Sequence, residues 1–460
     1  MRDMERFARQ TSIWEELERE LSPGLKEICQ FLDAVPCDAL VDRLNRERDR
    51  GRDDYPVRPM LRLVLSKLYL RHGRFSQLLA ELKRNGDLAR VLGFEQVLPG
   101  QFKIPSASAL CRFHGTLKAD AALADLALVF QRTVALLKDV NPDFGKHTAL
   151  DATDIRTHGH GERKGKDGEK RPSTDLDASW SVKTKRWEDA QGHKREEKQS
   201  TFGFKAYFCV DVEVPAICAL ETVTGKTNDQ TMALPVLDAA LSNLGQGQIE
   251  TCAMDKGFDS TETVMESFRR RVAAIVPVRE VPEPLEQQKK EDREIPMSKN
   301  SNIVRDSFSG VLACYSPGVA VGQMVRREMI YGGFEWERET HKFRCPLGSS
   351  ASQACSAFSS CHAGSSGKQG RQVRVELETD VRRFAPVYPR SKRWRRLYNG
   401  RSAVERINSY LKEVLRLEDH CLRGKNAISL RVTLAAITLN IRTLLALRAE
   451  KSRALDSAVA

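Results

Sequence analysis

No run of 18 consecutive apolar residues occurs in the 460-residue sequence, which argues against a membrane span. A paired cysteine framework is missing too. The eleven cysteines are scattered and odd in number, a pattern of a reducing compartment rather than a disulfide scaffold. The first ten residues, MRDMERFARQ, lack the apolar core of a signal peptide, so a cytoplasmic location is expected. Acidic charge is in deficit: 62 Asp and Glu stand against 74 Lys and Arg, a net charge of +12. That excess favours a polyanionic partner, of which nucleic acid is the commonest. A merely basic soluble protein is the plainer alternative. What is present is a hydrophobic fraction of 41%, enough for real cores. The length predicts roughly two to four domains.

Residues 1–140 read as an all-helical N-terminal domain. PMLRLVLSKLYLRH (59–72) and FSQLLAELKRN (75–85) carry apolar residues at helical spacing, with a turn at Gly73. Ser106 and Ser108 are candidate N-caps for a further helix, and AALADLALVFQRTVALLKDV (121–140) is a long one. Arg62, Lys67, Arg71 and Arg74 on such compact helices suit a helix-turn-helix DNA reader; a plain bundle with solvated cations fits equally well. At His147 the texture changes. HTALDATDI (147–155) predicts a strand ending in carboxylates. The segment 156–200, with 12 Lys/Arg and 9 Asp/Glu, predicts a polar loop or poorly ordered insertion. FGFKAYFCVDV and PAICALETV predict paired strands, and TNDQTMALPVLDAALSNL a helix capped by Asn228 or Asp229. IETCAMDKGFDS is a short strand ending again on a carboxylate, followed by a helix and the apolar strand VAAIVPV. The resulting order, β, β, β, α, β, α, β, predicts an α/β core with a mixed sheet over 141–279 and 396–450. Residues 280–395 break the pattern and read as a β-rich insertion, and 451–460 as a tail. The helix 428–450 is apolar enough to pack on the sheet.

Two predicted strands end on Asp, and open α/β sheets place their sites at carboxyl ends of strands. In YNGRSAVERINSYLKEV, a helix at 100° per residue puts Tyr398, Arg401, Glu405 and Lys412 within a sector about 60° wide. A carboxylate between cations can be a simple intrahelical Arg–Glu pair. Alternatively Glu405 joins Asp151 and Asp255. Three such carboxylates repel unless divalent cations neutralise them. Mg²⁺ takes oxygen ligands, and two ions about 3.5–4 Å apart clamp the attacking and leaving oxygens of a phosphodiester. Arg401, Lys412 and Tyr398 would then grip the DNA backbone.

These motifs resemble those of a DDE transposase of a bacterial insertion sequence. Tyr398, Arg401, Glu405 and Lys412 match the group's Tyr-x2-Arg-x3-Glu-x6-Lys signature without a gap. ALDATDI is similar to the first aspartate motif, and AMDKGFDS to the second. The resemblance implies Asp151, Asp255 and Glu405 as catalytic and metal-holding residues, and a ribonuclease-H-like core. It implies Mg²⁺ or Mn²⁺, two ions, with water and then a DNA 3′-hydroxyl as nucleophiles and no covalent protein–DNA intermediate. It also implies double-stranded DNA as partner, both terminal inverted repeats and target, and a homodimer on paired ends. Asp154 is the rival first ligand. Strand residues three apart face opposite sides, and Asp151 is preferred because it follows TAL and matches the motif. A DNA-binding protein without catalysis and a stand-alone nuclease are the alternatives.

Cys345, Cys355, Cys361 and His362 lie within 18 residues, as candidate ligands for a structural zinc, which needs four. Phe358 stands where a second Cys of a Cys-x2-Cys pair would be expected, and adjacent Cys361-His362 are awkward ligands. Free cysteines in a loop are the plainer reading. His158 and His160 read as solvated loop residues.

Overall fold

The computed structural model describes residues 21–48, 54–98, 101–164, 169–189, 192–279, 294–297, 302–317, 323–348, 355, 361 and 371–459. Seven helices come first: α1 (Pro23–Ala34), α2 (Asp38–Arg48), α3 (Val57–Tyr69), α4 (Phe75–Arg84), α5 (Gly86–Leu92), α6 (Ala107–Leu117) and α7 (Asp120–Val140). A small antiparallel pair, β1 (Gln96–Leu98) and β2 (Gln101–Phe102), separates α5 from α6. Apolar spacing explains their packing; α3 buries Met60, Leu61, Val64, Leu65 and Leu68 on its inward faces. Of the two candidate caps for α6, Ser106 serves: its Oγ accepts from the Ala109 amide at 3.2 Å.

The central sheet has six strands. They are β3 (His147–Arg156), β6 (Ser179–Glu188), β7 (Lys194–Asp211), β8 (Ile217–Thr224), β9 (Thr251–Met254) and β10 (Ala273–Ile275). The two-residue strands β4 (Arg163–Lys164) and β5 (Lys170–Arg171) pair apart from it. β10, β9 and β3 run parallel, and β7 pairs antiparallel with β3, β8 and β6. The helix α8 (Asp229–Leu244), capped by Asn228 through the Gln230 amide, and α9 (Thr261–Arg269) complete the crossovers.

Of the segment 156–200, expected as a loop or poorly ordered insertion, the second half forms a hairpin instead. Strand β6 pairs with the first half of the long β7 from Ser179↔Gly203 to Glu188↔Lys194. Its residues are polar because much of the hairpin meets solvent, so no apolar alternation marks it. Gly203 sits where β7 enters the sheet. A Cβ there would meet the Ile155 carbonyl oxygen at 2.1 Å, so only glycine lets the strands approach.

The β-rich insertion holds β11 (Glu294–Pro296), β12 (Ile303–Asp306), β13 (Leu312–Pro317) and β14 (Met324–Glu328) in one antiparallel sheet. A second sheet holds β15 (Ile330–Glu335), β16 (Thr340–Arg344) and β17 (Gln372–Glu376). Its own small core includes Ile303, Leu312, Phe343, Phe384 and Tyr388. The insertion leans on α9, where Trp336 stacks on Phe268 at 5.2 Å.

Tyr398, Arg401, Glu405 and Lys412 do not share one regular helix. α10 (Lys392–Asn399) and α11 (Ser402–Ser409) meet at Gly400-Arg401, and a π turn spans Tyr410–Val414. Bonds of 3₁₀ type tighten the joint, from the Arg401 amide to the Tyr398 carbonyl and from the Val404 amide to that of Arg401. A Cβ on Gly400 would stand 2.8 Å from Val212 Cγ1, so the joint is set by close approach to the end of β7.

The last helix, α12 (Lys425–Val459), packs against α7, β8, α3 and α1. It is long and apolar enough to cross a membrane, but its apolar window is 72% buried inside the protein. Buried Asn440 ties it down: its Oδ1 accepts from the Ile217 amide, and its Nδ2 donates to the Ile217 carbonyl and Thr133 Oγ1. One continuous apolar cluster runs from Ile28 of α1 to Leu444 of α12, through α7 and both faces of the sheet.

Candidate active site

The parallel register of β3 and β9 ends at Leu150↔Met254. Asp151 and Asp255 are the next residues on each strand, so they emerge side by side. Asp151 therefore lies within β3 and not at its end, yet at the end of its pairing with β9. Asp255 opens a 3₁₀ turn, Lys256–Phe258, and its carboxylate has no hydrogen bond or ion pair among the described residues. Burial pushes Asp151 up to about 6, with the Asp255 charge adding to the rise; the Ala152 amide, donating at 2.8 Å, and Arg401 oppose it.

Glu405 arrives from the other side. Ala403, Val404 and Ile407 bury one face of α11 against β3 and β7. That leaves Glu405 at the rim, with its side chain 55% exposed. Arg401 links the two walls: Nη2 donates to Glu405 Oε1 at 2.6 Å and Nη1 to Asp151 Oδ2 at 3.4 Å. The intrahelical Arg–Glu pair is thus present, and the same guanidinium reaches across to Asp151. Among the described residues no group of three or more His, Cys, Asp or Glu side chains is drawn close enough to hold a metal. Arg401 supplies the positive charge between the carboxylates. Their oxygen chemistry nevertheless suits a hard divalent cation, and the crowding that raises Asp151 is what such a cation relieves.

Asp154 points elsewhere. Burial alone would raise it, but the Lys183 ammonium, 2.7 Å away, more than compensates and holds it low. Lys412 does not lie free beside Glu405: its Nζ donates to the Asp154 carbonyl at 2.8 Å and pairs with Glu418 at 3.1 Å. Tyr398 carries the Arg401 guanidinium over its ring at 5.9 Å and stacks on Trp394 at 4.9 Å. Trp394 was not singled out by sequence reasoning, although its i, i+4 spacing to Tyr398 was legible. The same helix, α10, exposes Lys392, Arg393, Arg395 and Arg396, with no ion pair among the described residues.

In the insertion, Cys345 and the isolated described residues Cys355 and Cys361 gather near Cys314 of β13. Burial, then these three thiols, push Cys314 up to about 11. Asn302 Nδ2 also donates to Cys314 Sγ at 3.4 Å. Cys314 was missed because it sits far upstream on another strand. His362 lies outside the described residues. The thiols are neighbours without a closed ligand set. His158 is not simply solvated: it lines a cavity beneath residues 418–422.

A family model described as a transposase DDE domain matches residues 142–441, which include all three carboxylates and the whole insertion. No curated protein sequence matches the chain. The matched span covers well over half of the chain, and the protein belongs to the transposase DDE domain family.

Proposed function

We propose that this transposase cuts DNA at element ends and joins those ends to target DNA, with Asp151, Asp255 and Glu405 holding divalent cations. What supports the reading is the strand register that sets Asp151 beside Asp255, and the Arg401 guanidinium that Asp151 and Glu405 share. The sheet order β8-β7-β3-β9-β10, three antiparallel strands followed by two parallel ones, supports a ribonuclease-H-like core.

Two Mg²⁺ or Mn²⁺ ions held by these residues would supply Lewis acidity for activating water, then a DNA 3′-hydroxyl, and for stabilising the leaving oxygen. Asp151, in mid β3, and Asp255, just after β9, would offer oxygens from neighbouring strands. Glu405 offers a third from α11, once Arg401 releases it. The freed guanidinium then meets a phosphate, beside the Tyr398 and Trp394 rings. The exposed cations of α10 draw the duplex toward this edge. The protein acts in the cytoplasm, as a dimer on paired inverted repeats.

Incubating protein, labelled end DNA and Mg²⁺ tests the reading. Joined products support it. Cuts without joining indicate a nuclease, and shifted but uncut DNA a binding protein. Asp255→Asn should abolish both reactions and leave DNA affinity unchanged; a variant that still joins ends sinks the assignment.

In the insertion, the proposed zinc set is Cys314, Cys345, Cys355 and Cys361, with Cys314 in place of His362. Four thiols suit Zn²⁺. Metal analysis of purified protein should find about one zinc per chain, and its absence removes the set.

A further inference from the structure

A cavity of about 450 Å³ lies between the N-terminal helices and the core, below the end of β3. Its walls come from α3, α4, α6, α12 and the loop 418–422. Lys67 of α3 and Arg431 of α12 both line it, and each is only 6% exposed. Buried cations normally find acidic partners. Here the Lys67 ammonium has no hydrogen bond or ion pair among the described residues and sits over the Phe75 ring at 5.1 Å. Arg431 spends Nε and Nη2 on the carbonyls of Leu417, Arg416 and Asp419.

The acids nearby are already engaged. Asp419 pairs with Arg416 at 3.3 Å, and Glu418 with Lys412 at 3.1 Å. His420 adds a further donor. Its Nδ1 accepts from the Leu422 amide at 3.1 Å, which fixes the proton on Nε2. That Nε2 is buried and has no partner. Burial first, then Arg431, lowers Lys67 to about 7, against the smaller opposing pull of Asp419 and then Cys421. The cavity is thus a pocket of buried donors short of an acceptor. An oxyanion supplies what is lacking.

We propose that this cavity binds a phosphate group, and that in the working protein the phosphate belongs to bound DNA. The choice of DNA rests on the transposase reading above; the phosphate chemistry does not. Location supports it. The His158 amide donates to the Leu422 carbonyl at 3.0 Å, and Lys412 to that of Asp154, so the loop roofing the pocket is fastened to the strand that carries Asp151. A phosphate held here anchors the nucleic acid a short way along β3 from the carboxylates.

The test uses the full chain and Lys67→Met. Removing a poorly accommodated buried charge leaves the fold intact, and the variant should melt no lower than wild type without ligand. Inorganic phosphate, titrated at fixed pH and ionic strength without DNA, should raise the wild-type melting temperature. Its apparent affinity should fall about tenfold or more in Lys67→Met. With duplex DNA, the slope of log affinity against log salt should shrink by about one unit. Should Lys67→Met misfold, Arg74→Ala at the exposed rim gives the same two readings. Phosphate protection with an unchanged DNA slope assigns the pocket to free phosphate and overturns the DNA source. No phosphate effect on the wild type overturns the pocket itself. The phosphate arm needs no catalysis, so it stays readable even if end joining is never observed.

Discussion

At the scale of single residues, Asp151 carries a cost that a cation would remove. Its value rises from 3.8 to about 6 because burial and Asp255 disfavour the charge. A carboxyl raised in the fold loses stability as pH climbs between those values and keeps the deficit above them, here at most about 3 kcal/mol. Asp151→Asn should therefore melt higher than wild type at pH 7.5 and nearly level with it at pH 4. Calorimetry across that range checks the sign. Mg²⁺ should raise the wild-type melting temperature at pH 7.5 and leave the variant unmoved. A variant less stable than wild type at pH 7.5 contradicts the account. Arg401 offsets the charge of Asp151 and Glu405, which it bridges. The helical spacing of Arg401 and Glu405 was legible in the sequence, since i, i+4 neighbours meet on any helix. The reach of Arg401 to Asp151 was not, because it depends on how α11 crosses β3.

At the scale of elements, the joint between α10 and α11 decides where Glu405 points. Only glycine fits at position 400 against Val212. Gly400→Ala forces the helices from the strand end, costing about 1–3 kcal/mol. A shift of about 1 Å at a reacting centre can cost about a hundredfold. Mg²⁺-dependent cutting should fall about tenfold to a hundredfold in this variant, with DNA affinity within about twofold of wild type. An undiminished cutting rate removes the joint from the positioning of Glu405. The joint was not legible beforehand: Gly400 reads as an ordinary weak helix residue until Val212, remote in sequence, is seen beside it. The hairpin of β6 and β7 was illegible for another reason. Periodicity reports a strand only when one face is buried, and KREEKQS has none to bury. By contrast β9 was plain, because TCAM is fully buried and the next residue is Asp255, though the 3₁₀ turn that follows was not read.

At the scale of the whole molecule, the N-terminal helices and the sheet share one apolar interior. α7 lies against α12, and Asn440 bonds to both Thr133 and Ile217, so each side completes the other. Deleting residues 1–119 should leave an aggregating chain without a cooperative melt, whereas the full protein should show no separate early transition for its helices. A truncated chain that melts cooperatively would mean the sheet region closes its core alone. The mixed sheet was readable from strand order; the shared interior was not, since apolar faces do not announce their partners. A second long-range tie holds the insertion. Asp259, almost fully buried at the end of the turn begun by Asp255, is gripped by both arms of the Arg382 guanidinium and accepts from the Arg279 amide at 2.6 Å. Arg382→Ala leaves that charge unmatched and should destabilise the protein by about 3–5 kcal/mol. Its cutting rate should fall further than that of a surface variant of equal stability, as single-turnover kinetics would register. The insertion is thereby moored to the very turn that opens with Asp255, so a substitution that loosens this mooring bears, four residues away, on the carboxylate proposed to hold metal.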